Sequence, residues 1–190
     1  MRRILCAGML LACLLLFSSC KGSGGELQEA LDFRTALLDS TSCGFTAEVT
    51  ADYGQRVYEF SLDCTYHPQE NTAELEVIAP ETISGIKASV DGEDASVSFE
   101  DTVLSFGTMA GGHVAPLQLP QLLGDAWVYG YLETVSKTDD GQLATYRTGY
   151  GDEELLVYTY FDSDMKPTRA EVYYDDQCVL RAKLSDYSAA

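Results

Sequence analysis

The chain has 190 residues, 46% of them hydrophobic, with 30 acidic against 12 basic side chains and a net charge of −18. No basic patch is available to neutralise phosphates, which excludes nucleic acid as a partner, and anionic headgroups would be repelled as well. A chain of this size supports one ordinary domain with its own core and no stabilising metal.

At the start, Arg2 and Arg3 precede an apolar run of fourteen residues, Ile4 to Phe17. That is the length of a signal-peptide core and falls short of the roughly 18 residues or more that span a bilayer. The following stretch, LLLFSSCKGSGG from Leu14 to Gly25, leads through Ser18 and Ser19 directly into Cys20. It resembles the lipobox of bacterial lipoproteins. The resemblance implies removal of residues 1–19 as a lipoprotein signal peptide, a diacylglyceryl thioether on Cys20, palmitate-type acylation, and a protein facing outside the cytoplasm on the cell membrane. The alternative is a plain secreted protein with a buried Cys20. Removal of residues 1–19 takes away Arg2 and Arg3 and no acid, so the net charge moves from −18 to −20. Membrane residence then rests on the acyl chains. Residues 20–25 form the anchored cysteine and a flexible tether, and residues 26–190 form a single domain.

From Glu26 to Asp39, Leu27, Ala30, Leu31, Leu37 and Leu38 recur at helical spacing, with Arg34 as the polar intruder. The period then changes to two. Phe45, Ala47, Val49, Ala51 and Tyr53 alternate with polar residues, and Tyr58, Phe60, Leu62, Cys64 and Tyr66 continue the same face beyond the DYGQ turn. Further strands are predicted over 73–79, 86–90, 95–99 and 103–106, separated by short turn signals. The stretch GTMAGGHVAP has no period and reads as a loop, and Pro120 opens a short helix running to about Ala126. Five more strands follow, over 129–137, 142–148, 153–161, 168–174 and 178–184. The fold class is mainly β with some α: a curled antiparallel sheet or unclosed β-barrel of about 10 to 11 strands wrapping one or two helices. Its apolar face supplies a candidate ligand cavity lined by Phe45, Val49, Tyr58, Phe60 and Leu62.

With Cys20 acylated, Cys43, Cys64 and Cys178 remain, an odd number that cannot all pair. A two-residue turn at DYGQ sets Cys43 opposite Cys64, Phe45 opposite Leu62 and Val49 opposite Tyr58. A Cys43–Cys64 disulfide and two buried free thiols both fit this register.

ELEVIAPETISGIKASVDGE, Glu74 to Glu93, and YFDSDMKPTRAEVYYDDQCVLRAKLSDY, Tyr160 to Tyr187, resemble passages of LolA-like lipoproteins and lipoprotein carriers. That family includes outer-membrane lipoprotein-sorting proteins, mycobacterial lipid-carrier lipoproteins and clostridial germination lipoproteins. The resemblance implies an unclosed barrel of about eleven strands around a helix, with a cavity able to hold acyl chains. A lipid-anchored Cys20 argues against a soluble shuttle and for a binding or accessory role at one membrane.

Signatures of catalysis are missing from the sequence. His67 and His113 sit in no metal-ligand spacing, and there is no CxxC, Walker loop or Gly-x-Ser-x-Gly elbow. GTMAGG, Gly107 to Gly112, lacks the lysine and the strand-to-helix setting of a phosphate loop. The pairs Asp139–Asp140, Asp162/Asp164 and Asp175–Asp176 fall where turns are expected, and aspartate is at home there for backbone reasons. No catalytic residue, cofactor or metal is expected. The expected function is a non-enzymatic envelope lipoprotein binding an acyl chain or other apolar ligand in the sheet's concavity. The alternative is an accessory lipoprotein that binds and supports another envelope protein, such as a cell-wall hydrolase.

Overall fold

The structure, a computed structural model, describes residues 24–52, 54–91, 94–99, 102–103, 114–151 and 154–190, with backbone alone for 94–99 and 102–103. The expected signal peptide, Cys20, the GTMAGG stretch and His113 lie outside the described residues.

Helix α1 spans Gly24–Asp39 and is followed by strands β1 (Cys43–Asp52), β2 (Val57–His67), β3 (Thr72–Ala79), β4 (Lys87–Asp91), β5 (Asp94–Phe99) and β6 (Thr102–Val103). A 3-10 turn, Pro116–Gln118, leads into helix α2 (Leu119–Val128). Strands β7 (Tyr131–Lys137), β8 (Gly141–Thr148), β9 (Leu155–Asp162), β10 (Pro167–Tyr174) and β11 (Gln177–Ala189) complete the chain. The predicted tether therefore ends two residues earlier than expected, because Gly24 and Gly25 already belong to α1.

All eleven strands form one sheet in the order β6-β5-β4-β3-β2-β1-β11-β10-β9-β8-β7, every pairing between neighbours being antiparallel. Two meanders, β1–β6 and β7–β11, are joined by the β1–β11 pairing of the two ends of the domain. Edges β6 and β7 are not paired to each other, so the barrel is unclosed, as its alternating pattern implies.

Alternation decides the faces. In β1, Cys43, Phe45, Ala47, Val49 and Ala51 are buried while the residues between them are not. The register of β1 on β2 differs from the expected one by two residues. Cys43 faces Tyr66, Phe45 faces Cys64, Ala47 faces Leu62, Val49 faces Phe60 and Ala51 faces Tyr58. The turn is wider than a two-residue hairpin because Asp52 accepts a hydrogen bond from the Gly54 N–H at 2.7 Å and Gly54 takes a φ of +78°. A slip of two keeps every side chain on its predicted face. It removes the disulfide, however: Cys43 and Cys64 become diagonal neighbours, and both are buried free thiols.

Both helices lie against the apolar side. Arg34, the intruder in the α1 stripe, donates from Nε to the Trp127 carbonyl at 2.8 Å and from Nη2 to the Gly130 carbonyl at 2.7 Å. The Trp127 oxygen belongs to the last turn of α2, where carbonyls lack intrahelical donors, and the Gly130 oxygen lies two residues past it, so Arg34 caps one helix from the other.

Candidate functional site

Successive paired residues trace transverse rows across the apolar side of the sheet. One row runs Phe60, Val49, Ala182, Ala170, Thr159, Ala144, and is floored mostly by short side chains. Small residues here leave room for a large one, and the indole of Trp127 fills it. Trp127 is fully buried and donates from Nε1 to Thr159 Oγ1 at 2.9 Å. Its ring meets Phe33, Phe45 and Tyr187 edge-on, at centroid separations of 5.8, 5.7 and 6.4 Å. Phe33 in turn meets Phe161 edge-on at 4.8 Å. Such geometry suits the ring quadrupoles. The cluster sits at the end of the sheet where β1 begins and β11 and β9 end.

A second seal lies beside it. Gly124 of α2 rests on the Tyr66 ring so closely that a Cβ there would come within 2.5 Å of ring carbons. Tyr66 is fully buried, and its hydroxyl donates to Asn71 Oδ1 at 2.9 Å. Gln121 Nε2 donates to the same Asn71 oxygen and to Asp125 Oδ1, at 2.9 and 3.0 Å. Burial raises the Asp125 carboxyl above its ordinary range, and hydrogen bonds from Gln121 and Asn71 draw it part of the way back.

The residues expected to line a cavity divide into two groups. Phe45, Val49 and Leu62 are at most 2% exposed and belong to the packed core. Tyr58 is 47% exposed and Phe60 is half-buried, both toward the end away from the Trp127 cluster. Phe45 is committed to Trp127, a partner that strand periodicity does not reveal. Burial pushes the Cys43 thiol up to about 12, against the opposing hydrogen bond with Tyr187, and raises Cys64 as well. These two thiols are structural, not nucleophilic. Among the described residues, no group of three or more His, Cys, Asp or Glu side chains is placed to hold a metal ion, and no helix is long and apolar enough to cross a membrane.

The opposite, polar side of the sheet carries a hollow of about 530 Å³ lined in part by Glu48, Thr50, Ser61, Arg169, Arg181 and Lys183. The short Thr50 and Ser61 side chains make its floor. Arg169 stacks 3.6 Å over the Tyr160 ring. Arg169 and Arg181 approach the same Glu171 carboxylate at 3.9 and 4.0 Å, beyond hydrogen-bonding range, while Lys183 reaches Glu48 at 3.4 Å. Three cations, Arg169, Arg181 and Lys183, therefore stand among three carboxylates, Glu48, Glu59 and Glu171, on a chain whose net charge is −18. Sequence reasoning missed this hollow, since its charged residues come from four separate strands.

Solved structures offer likenesses of overall layout. One is a LolA superfamily protein from Nitrosomonas europaea, with 13% identity, a TM-score of 0.47, and coverage of 87% of this chain and 93% of that one. The chain is similar in layout to LolA-superfamily structures. A putative outer membrane lipoprotein-sorting protein domain from Vibrio parahaemolyticus follows at 10% identity and a TM-score of 0.46, covering 86% and 92%. The structure of the CwlD amidase from Clostridioides difficile in complex with the GerS lipoprotein gives 18% identity and a TM-score of 0.39, covering 88% and 98%. No protein-family model and no curated protein matches the sequence. The fold rests on the strand order and registers of this chain, and no ligand or partner carries across from likenesses at this level.

Proposed function

We propose that this chain is a non-enzymatic lipoprotein of the cell envelope, held to the membrane through acylated Cys20, that works by binding another envelope protein such as a cell-wall hydrolase. The observation behind it is the packing among the described residues: Phe45, Val49 and Leu62, the residues best placed to wall a container, touch protein instead. A sheet filled in this way is a scaffold, and its recognition is done from outside. The hollow around Arg169, Arg181 and Lys183 suits that role, because a charge-balanced island lets a partner approach a surface that otherwise repels anions.

Charge reversal tests the reading. Arg181→Glu combined with Lys183→Glu in the full-length lipoprotein is expected to lower recovery of a cross-linked partner about tenfold or more, a loss of roughly 1.4 kcal/mol or more in affinity. The thermal midpoint is expected to hold, since exposed ion pairs contribute about 0–1 kcal/mol. Unchanged recovery at unchanged stability contradicts the assignment of this face. The apolar-ligand reading retains one specific observation, the accessible Tyr58 and Phe60 beside Val49 and Ala51. It predicts a lipid bound without covalent attachment and lost in Phe60→Asp.

A further inference from the structure

Helix α1 carries two apolar stripes, and only one is used by the fold. Ala30, Phe33 and Leu37 are buried against the sheet, whereas Leu27, Leu31 and Leu38 stand 44%, 38% and 42% exposed. At about 100° per residue the three exposed leucines fall within roughly 40° of one another, along about 16 Å of helix. Glu26, Glu29, Asp32 and Asp39 all lie about 100° or more away from that stripe around the helix. Arg34 borders it on the core side and is committed to the end of α2. That bond also brings α1 alongside Gly130, whose neighbours Tyr129 and Tyr131 are 59% and 69% exposed. The three leucines thus make an uncharged stripe on a strongly acidic domain, whereas Tyr129 donates to the Pro68 carbonyl and Tyr131 pairs across the sheet with Arg147, which is ion-paired to Glu133.

The position of this face in the chain says what meets it. Helix α1 begins at Gly24, four residues after Cys20, so the helix start can stand no more than about 14 Å from an acylated Cys20. A protein tethered that closely meets the bilayer surface continuously, and only an uncharged face approaches headgroups without repulsion.

We infer that the Leu27–Leu31–Leu38 face of α1 docks into the headgroup layer of the membrane to which the chain is anchored. The leucines enter the acyl boundary, as the apolar faces of interfacial helices do. The inference rests on acylation of Cys20 and is independent of the partner-binding surface on the sheet.

The test uses the full mature lipoprotein in phosphatidylcholine vesicles whose acyl chains carry bromine, a short-range quencher of tryptophan. Leu31→Trp is the reporter, Lys183→Trp on the opposite side of the sheet is the control, and Trp127 is an internal background in both. Quenching of the Leu31→Trp emission by about half is expected, from an insertion depth of about 5–10 Å, with almost none for Lys183→Trp or the wild type. Flotation with the vesicles reports the anchor separately. Protein that floats with an unquenched Leu31→Trp overturns the docking while leaving the anchor intact, and a cross-link from position 31 to a protein in that case assigns the face to that protein. Failure of the wild type to float removes the anchor and the docking together. Leu27→Ser with Leu38→Ser, in the Leu31→Trp background, is expected to abolish the quenching without affecting flotation.

Discussion

The indole N–H of Trp127, at the end of α2, donates to the Thr159 hydroxyl in the middle of β9 at 2.9 Å, with both residues fully buried. This bond ties the helix that fills the apolar side to the floor beneath it. Thr159→Val keeps the shape and removes the acceptor, leaving a buried donor unpaired at a cost of about 1–3 kcal/mol. Trp127→Ala also empties the space among Phe33, Phe45 and Tyr187 and should cost about 3–5 kcal/mol. Urea unfolding measures both. An unchanged midpoint for Thr159→Val would mean that the indole is not held this way.

Gly124 and Tyr66 make a second prediction, whose sign depends on the partner. Alanine at 124 is a better helix former than glycine by about 1 kcal/mol, yet its Cβ would strike the Tyr66 ring. Gly124→Ala is therefore expected to destabilise by about 1–3 kcal/mol in the wild type. In a Tyr66→Ala background the same change should become neutral or stabilising. Equal effects in both backgrounds would show that the contact does not govern this position.

Asp125 gives a pH dependence with a definite sign. Its carboxyl is raised in the folded state, so between its ordinary pKa and the raised one the folded chain binds more protons than the unfolded chain. Stability contributed by this group is therefore greatest below the ordinary pKa and is lost as pH rises through that window. Asp125→Asn keeps an oxygen to accept from Gln121 and removes the charge. It should flatten this segment of the stability profile and be neutral or mildly stabilising at pH 7. A profile identical to that of the wild type from pH 3.5 to 6 would contradict the assignment.

Thiol labelling tests the β1–β2 register. Burial raises the thiol pKa of all three cysteines, but Cys43 and Cys64 are buried while Cys178 is half-buried and within reach of a reagent. Native protein at pH 8 should react with a thiol reagent at about one site, Cys178, and at about three sites after denaturation without reductant. Only one site after denaturation would reveal a Cys43–Cys64 bridge and the register that sets them opposite each other.

Much of this fold is local and hence legible from the residues alone. Alternation in Phe45 to Ala51 and Tyr58 to Tyr66 marks the strands and their buried face, and short turn signals order them as meanders. The β1–β2 register differs by two from the expected one because Asp52 pairs with Val57 and its carboxylate caps the turn at Gly54, where a tighter turn fits the same letters. Pairing of β1 with β11 extends β11 to Ala189, well beyond its predicted end at Leu184, since that strand continues only because Cys43 and Gly44 pair with it. Long-range partnerships left no periodic trace either. Arg34 looks like a flaw in a helical stripe until Gly130 lies beside it, and Phe45 looks like a cavity wall until Trp127 packs on it.

The proposed scaffold that binds a protein is checked by native mass spectrometry of the chain released gently from its own envelope. A complex of this chain with one protein partner is expected, together with a chain mass explained by the polypeptide and covalent acyl groups alone. A chain carrying one non-covalently bound lipid, with no protein partner at any detectable stoichiometry, would contradict it.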